Sequence, residues 1–128
     1  MDNFLNVHKD ERGSLFEIIR DDEIKEQIKQ VYFSISKPNA IRGNHFHKRK
    51  IEWFSVVKGK GMITLKNSIN HKTEKYTLSG DKPSIVKVEP GISHVIKNIG
   101  EDDMYLIVVA NEVFDPLDQD TFFEEIIE

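Results

Sequence analysis

The sequence contains no cysteine. Disulfides and thiolate metal ligands are therefore excluded, and the absence fits a reducing compartment. No apolar run approaches the roughly 20 residues that a membrane-spanning helix needs. The N-terminus, MDNFLNVHKDER, lacks the apolar core of a signal peptide. A cytoplasmic address is the expectation. Lysine and arginine are spread along the chain without a basic stripe, and the net charge is -4. Nothing here predicts binding to nucleic acid or to a membrane. Linkers, low-complexity runs and internal repeats are also missing.

What is present is one domain's worth of chain. A length of 128 residues suffices for a single core, not two, so residues 1–128 are taken as one domain. The hydrophobic fraction of 38% and charged fraction of 31% are those of an ordinary globular protein. Short β-rich runs recur between Gly and Pro punctuation. Strands are expected at residues 4–7, 15–19, 30–36, 41–47, 51–58, 62–66, 75–78, 84–88, 93–98 and 104–110. The last of these, MYLIVVA, reads as buried on both faces. Asp10 to Gly13, and Gly59 with Gly61, mark turns. Ile24 and Ile28 allow one or two helical turns within residues 21–30. Residues 121–128 suit a terminal helix or an added strand anchored by Ile126 and Ile127. This pattern predicts an all-β barrel or sandwich.

The chemistry concentrates in Gly43 to Gly59, GNHFHKRKIEWFSVVKG. Side chains alternate along a strand, so His45 and His47 share a face. A chain reversal near Lys48 to Lys50 returns Glu52 beside them. PGISHVIKN, Pro90 to Asn98, offers His94. Three imidazoles and one carboxylate suit one divalent ion, zinc first, with nickel, iron or manganese as alternatives. Arg42 and the trio Lys48-Arg49-Lys50 lie next to the histidines and are candidates for an anionic substrate. A surface ion pair for Arg42 and a solvated turn for the trio are the plainer readings. Trp53 and Phe54 must face opposite ways, and His8 and His71 read as surface residues. Asn98 reads as a structural partner at a turn.

Gly43-x-His45-x-His47, then Glu52 and Gly59, together with Pro90-Gly91-x-x-His94-x-x-x-Asn98, resemble the two motifs of the cupin superfamily. The resemblance implies a double-stranded β-helix, or jelly-roll barrel. DERGSLFEI and QVYFSISKPNAIRGNHFH resemble the nucleotide-sugar cupins, which include dTDP-4-dehydrorhamnose 3,5-epimerases and dTDP-sugar ketoisomerases. The tail NEVFDPLDQDTFFEEI is similar to the C-terminal cupin domain of capsular polysaccharide enzymes that join a reductase to an epimerase. The reductase half is expected to be absent here.

The implied function is epimerisation beside the ketone of a nucleotide-linked 4-keto-6-deoxy sugar, in capsule or O-antigen synthesis. A 3,4-ketoisomerase and a non-catalytic sugar-binding or partner cupin are the alternatives. Epimerisation needs a base, an acid and stabilisation of an enolate. The resemblance makes His45 the base in metal-free relatives and a ligand in metal cupins. Arg42 and Lys48 are the expected substrate contacts. Tyr105 and Tyr32 are the phenols available as acid, with Tyr105 the first choice. A homodimer and a separate short-chain reductase are the implied partners.

Overall fold

The computed structural model describes residues 4–126. Ile127, expected to help anchor the end, lies outside them. The strands in chain order are β1 (Val7–Asp10), β2 (Gly13–Phe16), β3 (Gln30–Ser36), β4 (Ile41–Phe46), β5 (Glu52–Lys58) and β6 (Lys60–Asn67). They continue as β7 (Thr73–Ser79), β8 (Val86–Val88), β9 (Ile92–Asn98), β10 (Met104–Ala110) and β11 (Phe122–Phe123). β1 and β2 form a hairpin. Two antiparallel sheets face each other, in the orders β3-β10-β5-β8 and β11-β4-β9-β6-β7. Among the described residues no helix is long and apolar enough to cross a membrane.

Alternation fills the space between the sheets. Phe54 and Val56 of β5, Leu106 and Val108 of β10, Ile96 of β9 and Ile63 of β6 point inward and are buried. Each such burial contributes roughly 1.5–3 kcal/mol. Gly59 alone makes the turn between β5 and β6. Its φ is +87°, and a Cβ there would meet Asp103 O at 2.9 Å. Gly61, expected in the turn, lies inside β6.

Several expectations are corrected at the edges. Residues 21–30 form only a three-residue 3-10 turn, Asp21–Glu23, because two isoleucines give too little apolar face to hold a longer helix. The strand expected at residues 15–19 is Gly13–Phe16. The one expected at residues 4–7 reduces to a bridge from Phe4 to Ser84, with β1 starting at Val7. The tail adds a two-residue strand, β11, on β4. β10 is not buried on both faces throughout. Tyr105 and Ile107 are half-buried, beside an outer row on β3 in which Val31, Phe33 and Ile35 stay 61%, 51% and 51% exposed. Trp53 is buried on that outer side, against a cleft of about 520 Å³ under the N-terminal hairpin, while Phe54 is core.

Candidate functional site

The site begins with a break in a strand. β4 and β9 are in register from Ile41 to Gly43, then slip, so that His45 pairs with His94 and Asn44 is extra. Gly43 has φ +111° and Asn44 φ +60°. Only glycine fits at position 43, since a Cβ would lie 2.6 Å from His94 O. The extra residue changes the parity of the strand. Arg42 and His45, three positions apart, therefore line one cavity.

His47 follows on the same face as His45. Glu52 opens β5 across the turn, and His94 comes from β9. The ring centroids of His45 lie 5.1 Å from His47 and 4.6 Å from His94, and those of His47 and His94 are 5.3 Å apart. The three imidazoles offer nitrogens within 4.8 Å of one another. Glu52 Oε1 lies 2.9 Å from His47 Nε2 and 3.4 Å from His94 Nε2. Asn98, at the far end of β9, has a structural role. Its amide donates to the carbonyls of Ser36 and Asp102, and its oxygen accepts from Gly100.

Burial sets the protonation of the cluster. Burial and the neighbouring charges of His94 and His47 push His45 down to about 4, so its imidazole is neutral. Burial also disfavours charge on His47, but the Glu52 carboxylate outweighs it and raises the ring's affinity for a proton. Burial would lift Glu52, yet the bonds from His47 and His94 hold it well below the ordinary carboxylate range. Without a metal, His47 and Glu52 are thus an ion pair, and both His47 nitrogens are donors.

The tail holds this arrangement from outside. His47 Nδ1 donates to Asp120 O at 2.7 Å. The Asp120 carboxylate accepts the amides of Lys48, Arg49 and Lys50 at 3.0, 2.9 and 3.0 Å. Glu124 N donates to Asn44 O, and Ile126 N to Asn44 Oδ1. The sequence offered no signal for these contacts, which span seventy positions or more.

Two cavities open onto the cluster and share Tyr32 and His45. One, about 420 Å³, has Arg42, Phe54, Ile63 and Leu106 among its walls. The other, about 470 Å³, is walled by Gln30, His47, Lys50, Phe114, Gln119 and Thr121. Arg42 bonds Ser36 Oγ and Ile35 O at the first cavity. Lys48 does not reach either cavity, because its ammonium sits 4.5 Å from the Phe122 ring. Tyr105 is on the outer face, with its ring 5.5 Å from Phe33, since Leu106 and Val108 take the inward positions of β10. The phenol that lines both cavities is that of Tyr32, which is 42% exposed. Partial burial and the nearby Glu52 carboxylate raise its pKa.

This barrel matches known proteins over most of its length. The model of the polysaccharide biosynthesis C-terminal domain family matches residues 8–122. The chain belongs to that family. The UDP-2-acetamido-2,6-beta-L-arabino-hexul-4-ose reductase of Pseudomonas aeruginosa is 34% identical over 116 residues, which cover 91% of this chain and 30% of the enzyme. The crystal structure of the capsular polysaccharide assembling protein CapF from Staphylococcus aureus superposes with a TM-score of 0.75 at 40% identity. It covers 95% of this chain and 34% of CapF. This family member thus spans about a third of those two proteins. The dTDP-6-deoxy-D-glucose-3,5-epimerase RmlC of Legionella pneumophila, in complex with dTDP-4-keto-L-rhamnose, gives a TM-score of 0.83 at 18% identity, over 96% of this chain and 71% of RmlC. That likeness is one of fold, and the double-stranded β-helix of the cupins is the fold of this domain.

Proposed function

We propose that this domain epimerises a nucleotide-diphosphate-linked 4-keto-6-deoxy sugar at the carbon beside the ketone, with one divalent ion, zinc first, held by His45, His47, Glu52 and His94. The observation that carries the reading is the convergence of three imidazoles and Glu52 inside a barrel whose fold is shared with RmlC. The donor set fits such an ion, since three imidazole nitrogens within 4.8 Å of one another and an adjacent carboxylate are ligand types that zinc takes. When bound, the ion would polarise the ketone as a Lewis acid. Arg42, at the mouth of its cavity, meets the diphosphate. Tyr32, kept protonated beside Glu52, delivers a proton to the carbon.

One observation favours a metal-free form of the same reaction. Glu52 bonds His47 and lies 3.4 Å from His94, while His45 stays neutral and faces both cavities. In that form His45 takes the proton. The partners proposed are a second copy, docked on the apolar row Val31, Phe33 and Ile35, and a separate short-chain reductase that acts on the product.

The test is incubation with a nucleotide-linked 4-keto-6-deoxy sugar in D₂O. Deuterium at C3 or C5, absent in a His45→Ala plus His94→Ala variant, is the expected result. No uptake by the wild type overturns the epimerase. A carbonyl found at C3 by carbon NMR would make the enzyme a ketoisomerase instead. Metal analysis of the purified protein tests the ion.

A further inference from the structure

The basic trio Lys48-Arg49-Lys50 has three different fates. Lys48 turns outward to Phe122. Arg49 is engaged by Glu112 and Asp118 at 3.4 and 3.1 Å. Lys50 is only 7% exposed, and among the described residues it forms no ion pair. Its ammonium lies 5.9 Å from the Phe114 ring centroid, and both residues wall the cavity that holds His45, His47 and Glu52. Its charge is felt by His45 and His47. A buried ammonium without a counter-ion is costly unless something anionic meets it.

The rest of that cavity has the chemistry of a sugar site. Gln30, Gln119 and Thr121 offer amides and a hydroxyl, and Phe114 offers an aromatic face. Arg42 belongs to the other cavity and is held by Ser36 and Ile35. We infer that Lys50 contacts the substrate and donates a hydrogen bond to the sugar oxygen that becomes anionic in the reaction. This inference rests on the epimerase reading. Breaking the C–H bond beside the ketone sends the proton to a base. Its electron pair enters a new carbon–carbon double bond, and the carbonyl π pair moves onto oxygen. Lys50 faces that oxygen, and return of the proton reverses each shift.

The experiment compares wild type, Lys50→Met and Lys50→Arg. Methionine keeps the length and apolar stem of lysine, and thermal melts confirm that the variants fold. Lys50→Met should lower kcat for deuterium exchange by about 10²–10³-fold and leave KM within about threefold. Lys50→Arg should recover part of the loss. A raised KM with unchanged kcat, or no effect, overturns the inference. Binding of oxalate, a planar dianion shaped like an enediolate, is measured by calorimetry in parallel. Lys50→Met should weaken it by roughly tenfold or more. Equal affinities, or no binding by either protein, also overturn it. If wild type binds oxalate through Lys50 but exchanges no deuterium, the epimerase reading falls and the anion site stands.

Discussion

Asp120 holds His47 twice over. Its carbonyl accepts the Nδ1 proton at 2.7 Å, and its carboxylate ties down the three amides that follow His47 in the chain. The ring is thereby fixed with Nε2 turned into the barrel, toward Glu52. In the proposed metal site, such a partner would orient a ligand without touching the ion.

Replacing Asp120 should therefore loosen the site. Asp120→Asn keeps a residue that tolerates the local φ of +51° and removes the charge. It should cost about 1–3 kcal/mol in chemical denaturation and weaken zinc binding about 10–100-fold. Unchanged zinc affinity by calorimetry would assign Asp120 to the turn alone.

Gly43→Ala places a methyl group 2.6 Å from a main-chain oxygen, in a conformation that L-residues rarely adopt. The expected loss exceeds about 2 kcal/mol, well above the ordinary cost of removing a glycine. Gly13→Ala is the control, since its Cβ would meet nothing within 4 Å although its φ is also positive. Equal losses would show that strain, not crowding, decides.

Acid should destabilise the metal-free protein in a defined window. His45 titrates near 4 when folded and near its ordinary 6.5 when unfolded. The unfolded chain then binds more protons between those values, so stability falls as the pH drops from about 6.5 towards 4. Glu52 acts in the same sense below its ordinary 4.5. His47, with its raised pKa, contributes stability that is complete below 6.5 and is lost as pH rises through its folded value. Denaturation midpoints across pH 4–8 in EDTA check this, and His45→Gln should flatten the acid limb.

Metal binding should release a proton. His47 donates from both nitrogens in the free site, and coordination requires one lone pair. Zinc titrations at about pH 6.5 in two buffers of different ionisation enthalpy should show close to one proton released from His47, declining as the pH rises through its raised folded value. Buffer-independent heats would exclude a charged His47.

The outer row on β3 should mediate self-association. Phe33→Glu removes the middle of the exposed apolar row Val31, Phe33 and Ile35. Light scattering should show two copies for wild type and one for the variant. A monomeric wild type would leave that face for another partner.

Much of this molecule was readable in one dimension. β3 and β10 have the expected limits because β-branched and aromatic runs end at Lys37-Pro38 and at Gly100 to Asp103. The four donors were legible because two short spacings carry them. Tyr105 and Tyr32 were not distinguishable, since a strand's two faces are set by its register with neighbours and both phenols sit in apolar runs. Lys48 and Lys50 posed the same difficulty, resolved only by the turn that Asp120 shapes. Arg42 shares a cavity with His45 through an irregularity that alternation forbids.

That irregularity makes the protein's reading frame of side chains unusually fragile at one point. Deleting Asn44 would restore a regular ladder with β9 and keep the β4–β9 pairs on either side, at the loss of the bonds from Glu124 and Ile126. Yet Arg42 would swing to the opposite surface, or His45 and His47 would. A one-codon loss there would preserve the barrel and abolish its interior chemistry, whereas the same loss in the loop at residues 68–72 would spare both.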